Sequence, residues 1–124
     1  MSSSDDDRFR EPGSRYEHEE PVAVAVIDED APVDWSDSAH SPSGTLWLPE
    51  TLFHQLAMAT RLGGLDLNGQ TRLTRQDCRT LAQELLTLEA TTQDADVHVA
   101  ATLVRKRAEA VVSVERRALL VEGP

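Results

Sequence analysis

The sequence predicts a mainly α protein with minor β: a small three-helix domain with one or two short strands, preceded by a disordered acidic segment. Three observations predict it. Apolar residues recur at helical spacing in three stretches of residues 45–124. One short apolar run, Pro21 to Ile27, has the β-branched character of a strand. Acidic residues crowd the front of the chain. Residues 1–44 hold twelve acids against three arginines, a net of −9, whereas residues 45–124 hold ten acids and nine bases, a net of −1. Apolar residues number 13 in the first 44 positions and 36 in the following 80, so only the second stretch has the composition of a core builder.

The elements follow in order. Residues 1–20 mix Ser, Asp, Glu, Arg, Pro and Gly without periodicity and are expected to be disordered. Pro21 suits the first residue of a strand, and Val22 to Ile27 continue it to the acidic triplet Asp28, Glu29 and Asp30. A run this apolar either pairs within the domain, the favoured reading, or adds to the sheet edge of a partner. Residues 21–44 thus read as a short strand plus an acidic linker, rich in Pro, Ser and Asp and holding Trp35, which is read either as a lid on the core or as a binding anchor. The helical domain is placed at 45–124. Pro49 followed by Glu50 marks a helix start, and Leu52, Phe53, Leu56, Ala57, Ala59 and Leu62 carry its apolar stripe over 49–62, ended by Gly63 and Gly64. A turn built on Asn68-Gly69 follows. Thr74 with Asp77 three residues later approximates a capping box for a second helix, whose apolar face is Cys78, Leu81, Ala82, Leu85, Leu86 and Leu88. Asp94 or Asp96 caps a third, which carries Arg105-Lys106-Arg107, read as a solvated face or as a clamp for the acidic tail. Ala118 to Glu122 reads as a terminal strand, because Val111, Val112 and Val114 weaken the helix before it.

Composition excludes several classes. No stretch approaches the roughly 20 apolar residues of a membrane span. The first residues have neither the basic nor the apolar region of a secretory signal, and a single cysteine cannot form an internal disulfide, so a cytoplasmic location is expected. With 22 acids against 12 bases, nucleic acid and anionic membrane are disfavoured as partners. There is no Gly-x-Ser-x-Gly, no phosphate-binding glycine loop, no Cys-x-x-Cys and no His-x-x-x-His, so the chain is expected to be neither an enzyme nor dependent on a cofactor. Cys78 lies on an apolar face and reads as a small buried hydrophobe, although a couple with His54 is conceivable if two helices bring them together.

The sharpest local pattern is the twelve-residue stretch from Asp66 to Asp77. It resembles an EF-hand calcium loop: Asp66 and Asn68 match oxygen-ligand positions one and three, Gln70 and Thr74 positions five and nine, and Leu73 the apolar position eight. It departs from the pattern at position six, where Thr71 replaces glycine, and at position twelve, where Asp77 replaces the bidentate glutamate. Asp66, Asn68, Gln70 and Asp77 are therefore weak metal candidates, and an ordinary helix–turn–helix connection is the favoured reading.

The leading expectation is a non-enzymatic protein-binding module that docks on a basic protein partner. Charge would steer the encounter and embedded apolar anchors would hold it. The candidate partner-binding residues are Val24, Val26, Ile27, Asp28, Glu29, Asp30, Asp34, Trp35, Asp37 and Trp47. Immunity proteins, antitoxins and accessory subunits share this physical profile. Two alternatives are an assembly subunit that completes its fold in a homo-oligomer and a degenerate calcium module.

Overall fold

The computed structural model describes residues 16, 18–28, 45–64 and 70–122. Three helices pack on one face of a four-stranded antiparallel sheet. The strands are β1 (Pro21–Asp28), β2 (Leu46–Pro49), β3 (Gln70–Leu73) and β4 (Arg117–Glu122), and the helices are α1 (Glu50–Ala59), α2 (Arg75–Thr91) and α3 (Ala95–Ser113). The chain order is β1-β2-α1-β3-α2-α3-β4, and the sheet order is β2-β1-β4-β3. Helix outweighs strand, as expected, but four strands replace the expected one or two.

The two strands that the sequence hid are the sheet's edges. β2 and β3 have four residues each, too short for alternation to stand out, and β3 has a single apolar side chain, Leu73. Both take their register from a longer neighbour: Val22 faces Leu48 and Val24 faces Leu46, while Leu73 faces Leu119. The connection read as helix–turn–helix therefore contains a strand. The sheet also crosses the boundary drawn at residue 45. β1 is a central strand, hydrogen-bonded to β2 on one side and to β4 on the other, so it belongs to the same fold as the helices.

Side-chain alternation splits β1 between two cores. Val22, Val24 and Val26 face the helices, together with Leu46, Leu48, Leu119 and Val121. Leu52, Phe53 and Leu56 of α1, Cys78, Leu81 and Leu85 of α2, and Val97, Ala100, Ala101, Val104, Ala108 and Val111 of α3 complete that layer. Ala25, Ile27, Ala118 and Leu120 form a smaller buried cluster on the other face of the sheet. α3 is the central helix and touches α1, α2, β1, β2 and β4. Its small residues Ala100, Ala101 and Ala108 let it lie close to the sheet.

Local chemistry sets the helix ends. The capping box of α2 forms as read: Asp77 N donates to Thr74 Oγ1 (3.2 Å), and Thr74 N donates to Asp77 Oδ2 (3.2 Å). Asp94 is the cap of α3, its Oδ1 accepting from Asp96 N (2.9 Å) and Val97 N (3.2 Å). α1 is shorter than the 49–62 expected. Pro49 stands before the helix, as the last residue of β2, rather than at its first turn. The helix stops at Ala59 because Thr60 turns extended (φ −137°, ψ 176°) and its hydroxyl donates to Leu56 O (2.9 Å) while accepting from Leu62 N (3.2 Å). A short 3-10 turn, Arg61–Gly64, follows. It requires glycine at 63, where a Cβ would lie 2.6 Å from Ala57 O.

Between α3 and β4 the chain reverses through Arg116 in the left-handed region, at φ 66°. Such a backbone costs an L-residue roughly 1–2 kcal/mol, most of all a β-branched one. Arg116→Gly should leave stability unchanged or raise it by up to about 1 kcal/mol, because relief of the strain offsets the extra freedom of the unfolded chain. Arg116→Val should lower stability by about 1–2 kcal/mol. Urea midpoints of the two variants, read side by side, check the order.

Candidate functional site

The front of the domain is pinned at two points, both inside the stretch read as a disordered tail. The Tyr16 ring is buried, with 6% of its surface exposed, and its hydroxyl donates to Asp96 Oδ2 (2.8 Å) in the first turn of α3. Glu19 reaches α1: its two carboxylate oxygens accept from Thr51 N and Thr51 Oγ1, each at 2.8 Å. That carboxylate satisfies an N–H that the first helical turn leaves without an intrahelical partner, and it sits at the positive end of the helix dipole. The notion of a tail free up to residue 20 is thus corrected at Tyr16 and Glu19. Residues 1–15 lie outside the described residues.

Beside this second anchor is an open cleft of about 360 Å³ lined by Glu19, Glu50, Thr51, His54 and Gln55. Its lining side chains are acidic or polar, and the Thr51 hydroxyl within it is held by the Glu19 carboxylate. A second, smaller cleft of about 200 Å³ runs along α3, lined by His98, Val99, Thr102 and Leu103. Among the described residues no group of three or more His, Cys, Asp or Glu side chains is placed to hold a metal ion.

The candidate partner-binding residues do not form one surface. Val24 is fully buried in the main core and Ile27 is 6% exposed in the smaller cluster, so both are spent on the fold and are removed from the candidate surface. Val26 is half-buried against the main core. Trp47 sits in β2 opposite Ala23, half-buried on the sheet face that turns away from the helices. Asp28 ends β1, in register with Arg117. Glu29, Asp30, Asp34, Trp35 and Asp37 lie outside the described residues, and with them the choice between lid and anchor for Trp35.

Of the weak metal candidates, Asp66 and Asn68 lie outside the described residues, and Gln70 opens β3 opposite Glu122. Asp77 is committed elsewhere. Its Oδ2 accepts from Thr74 Oγ1 (3.0 Å) as well as from Thr74 N, and its Oδ1 accepts from Arg61 Nη1 (3.1 Å). The carboxylate at the last position of the EF-hand-like stretch is therefore occupied by the cap and by an arginine.

Cys78 and His54 stay apart in character: His54 is exposed at the acidic cleft, whereas Cys78 is fully buried under β3. Burial and the neighbouring Asp77 charge push the Cys78 thiol up to about 12, against a smaller opposing pull from a Leu119 backbone hydrogen bond.

The basic triplet of α3 divides between two flanks. Arg105 turns toward α2 and grips Glu89 through Nε and through Nη2 (3.1 Å), with Glu109 at 3.0 Å on the other side. Thr102 Oγ1 donates to Glu89 Oε1 (2.5 Å). The Glu89 side chain is only 9% exposed. Burial by itself would raise its carboxyl, but the hydrogen bonds from Arg105 and Thr102, with the charges of Arg105 and His98, outweigh it and hold the group below its ordinary value. Sequence reading missed this α2–α3 clasp, since Glu89 and Arg105 are separated by a turn whose geometry no local pattern specifies.

A scan against protein-family models finds no match, and neither do searches of curated proteins and of solved structures.

Two outcomes check these environments. With a thiol pushed up to about 12, the native chain carries about 10³-fold less thiolate than a free cysteine. Labelling of Cys78 by a thiol reagent near neutral pH should therefore be slow in buffer and rapid in denaturant, and fast labelling of the native chain would contradict the buried placement. A carboxyl held low in the folded state contributes stability above its ordinary pKa, and the contribution is lost as pH falls through the lowered value. The stability gap between the natural chain and Glu89→Gln should therefore be largest near neutrality and shrink at a pH well below the ordinary carboxylate range. Urea unfolding at both pH values measures it.

Proposed function

We propose that this chain is a small non-enzymatic binding module that docks on a basic protein partner in the cytoplasm, after the manner of immunity proteins, antitoxins or accessory subunits. What carries the reading is the partition of charge, with −9 in residues 1–44 and −1 in residues 45–124. Of that −9, −8 lies in residues 17–37, just before β1, at its end and in the connection that follows it, and the anchors at Tyr16–Asp96 and Glu19–Thr51 hold the front of this stretch against the helices. Long-range attraction would raise the association rate, while apolar contacts would set the lifetime of the complex. Among the described residues no helix is long and apolar enough to cross a membrane.

The alternative in which Val22 to Ile27 is donated to a neighbouring copy has less support. Pro21 to Val24 of β1 are already paired with β2 and Ala23 to Asp28 with β4, within its own sheet.

The test is titration of the full chain against basic proteins encoded beside its gene, at low and at high salt. Affinity for a true partner should fall by about tenfold or more between about 50 and 500 mM salt, mostly through the association rate. Equal affinity at both salt concentrations would remove the charge argument.

A further inference from the structure

We propose that the arginine-bearing end of the helical layer, formed by Arg75, Arg79, Arg116 and Arg117 with Val114, is a second docking surface whose occupant is a carboxylate-rich segment of a partner protein. The net −1 of residues 45–124 is unevenly spread, since these four arginines are four of the nine bases in that stretch. Three connections gather them. Arg75 opens α2, and its Nε donates to Val112 O (2.9 Å) in the last turn of α3. Arg79 follows one turn later on the same flank of α2. The last pair of the β3–β4 ladder is Leu73–Leu119, so Arg75 and Arg117 each stand two positions past it toward the same end. Arg116 lies in the turn between α3 and β4, next to Arg117.

These cations are available. Arg75, Arg79 and Arg116 are exposed and Arg117 is half-buried. Arg75 donates to Val112 O and Arg79 Nη1 to Gln76 Oε1 (3.4 Å), which leaves further N–H groups on each guanidinium. Among the described residues no hydrogen bond or ion pair holds the guanidinium of Arg116 or Arg117, although Asp28 ends β1 in register with Arg117. The neighbouring carboxylates are committed elsewhere, Asp77 to its cap and to Arg61, and Glu109 to Arg105. Glu115 is the exposed exception.

Two further observations mark this end. Val114 is 43% exposed, one of three large hydrophobics so placed among the described residues. Arg116 holds φ 66°, a backbone that glycine takes without strain. What arginine adds at that position is therefore its side chain, presented to solvent without a partner.

The chemistry of the end selects its occupant. Guanidinium groups take carboxylates through paired N–H···O bonds, and an apolar residue among those carboxylates covers Val114. A nucleic acid brings anions without that apolar contact, and its long run of phosphates meets the repulsion of a chain whose net charge is −10. A short acidic segment touches the arginine end alone.

The test is nuclear magnetic resonance on the full chain, titrated with a short synthetic peptide of glutamates around one leucine. Signals of Val114 to Arg117 and of the Arg75 guanidinium should shift to saturation, while those of His54 and Gln55 at the acidic cleft stay in place. Arg116→Gly, which keeps or raises stability, and Arg117→Gln should each weaken binding about three- to tenfold. Raising salt from about 50 to 500 mM should weaken it about tenfold. A single-stranded oligonucleotide of equal charge should bind more weakly than the peptide. Absence of shifts at this end, shifts centred elsewhere, undiminished binding by Arg116→Gly, or an oligonucleotide bound as tightly as the peptide would each overturn the proposal. No basic partner is present, so these outcomes are independent of the salt titration that tests the binding reading.

Discussion

The pairing of β1 with β4 holds the fold together. The six-residue register from Ala23–Glu122 to Asp28–Arg117 joins nearly the first described residues to nearly the last. Each edge strand hangs on one member of that pair, β2 on β1 and β3 on β4. The helices depend on it as well, since α3 packs on β1 and β4 together and its buried residues share one core with Val22, Val24, Leu119 and Val121. Contacts this distant in sequence close a long loop, and the entropy that closure costs is offset by the burial of the helices against the completed sheet.

Burial and polarity are cleanly separated in this domain. Among the described residues the buried set is wholly hydrophobic. Polar bonds lie at the margins of the helical layer, where they decide how elements meet: Arg61 ties the end of α1 to Asp77 and Glu84 of α2, and Arg105 ties α3 to Glu89. The Arg61 pairs are more than a third exposed and contribute little. The Glu89 site is nearly enclosed and hydrogen-bonded on both oxygens, so it contributes register between the two longest helices.

This separation bears on function. Both described clefts are open and lie along helices, one beside the Glu19–Thr51 anchor and one along α3. The charge that distinguishes the chain lies on either side of β1: of the net −9 in residues 1–44, −8 falls in residues 17–37 and only −1 in residues 1–15.

The pattern of residues was enough for the three helices, for the cap at Thr74, for a cap at either Asp94 or Asp96, for the terminal strand, for burial of Cys78 and for the uneven charge. Each rests on near neighbours in the chain, and a spacing of three or four residues is a local property. It was not enough for β2 and β3, four-residue strands that exist because β1 and β4 offer them hydrogen bonds. Nor could it show that Val24 and Ile27 serve two cores on opposite faces, that Tyr16 finds Asp96 across 80 positions, or that Glu89 and Arg105 close on each other. These depend on which distant segments become neighbours, and that is settled when the first and last strands meet, a contact to which no short window of sequence has access.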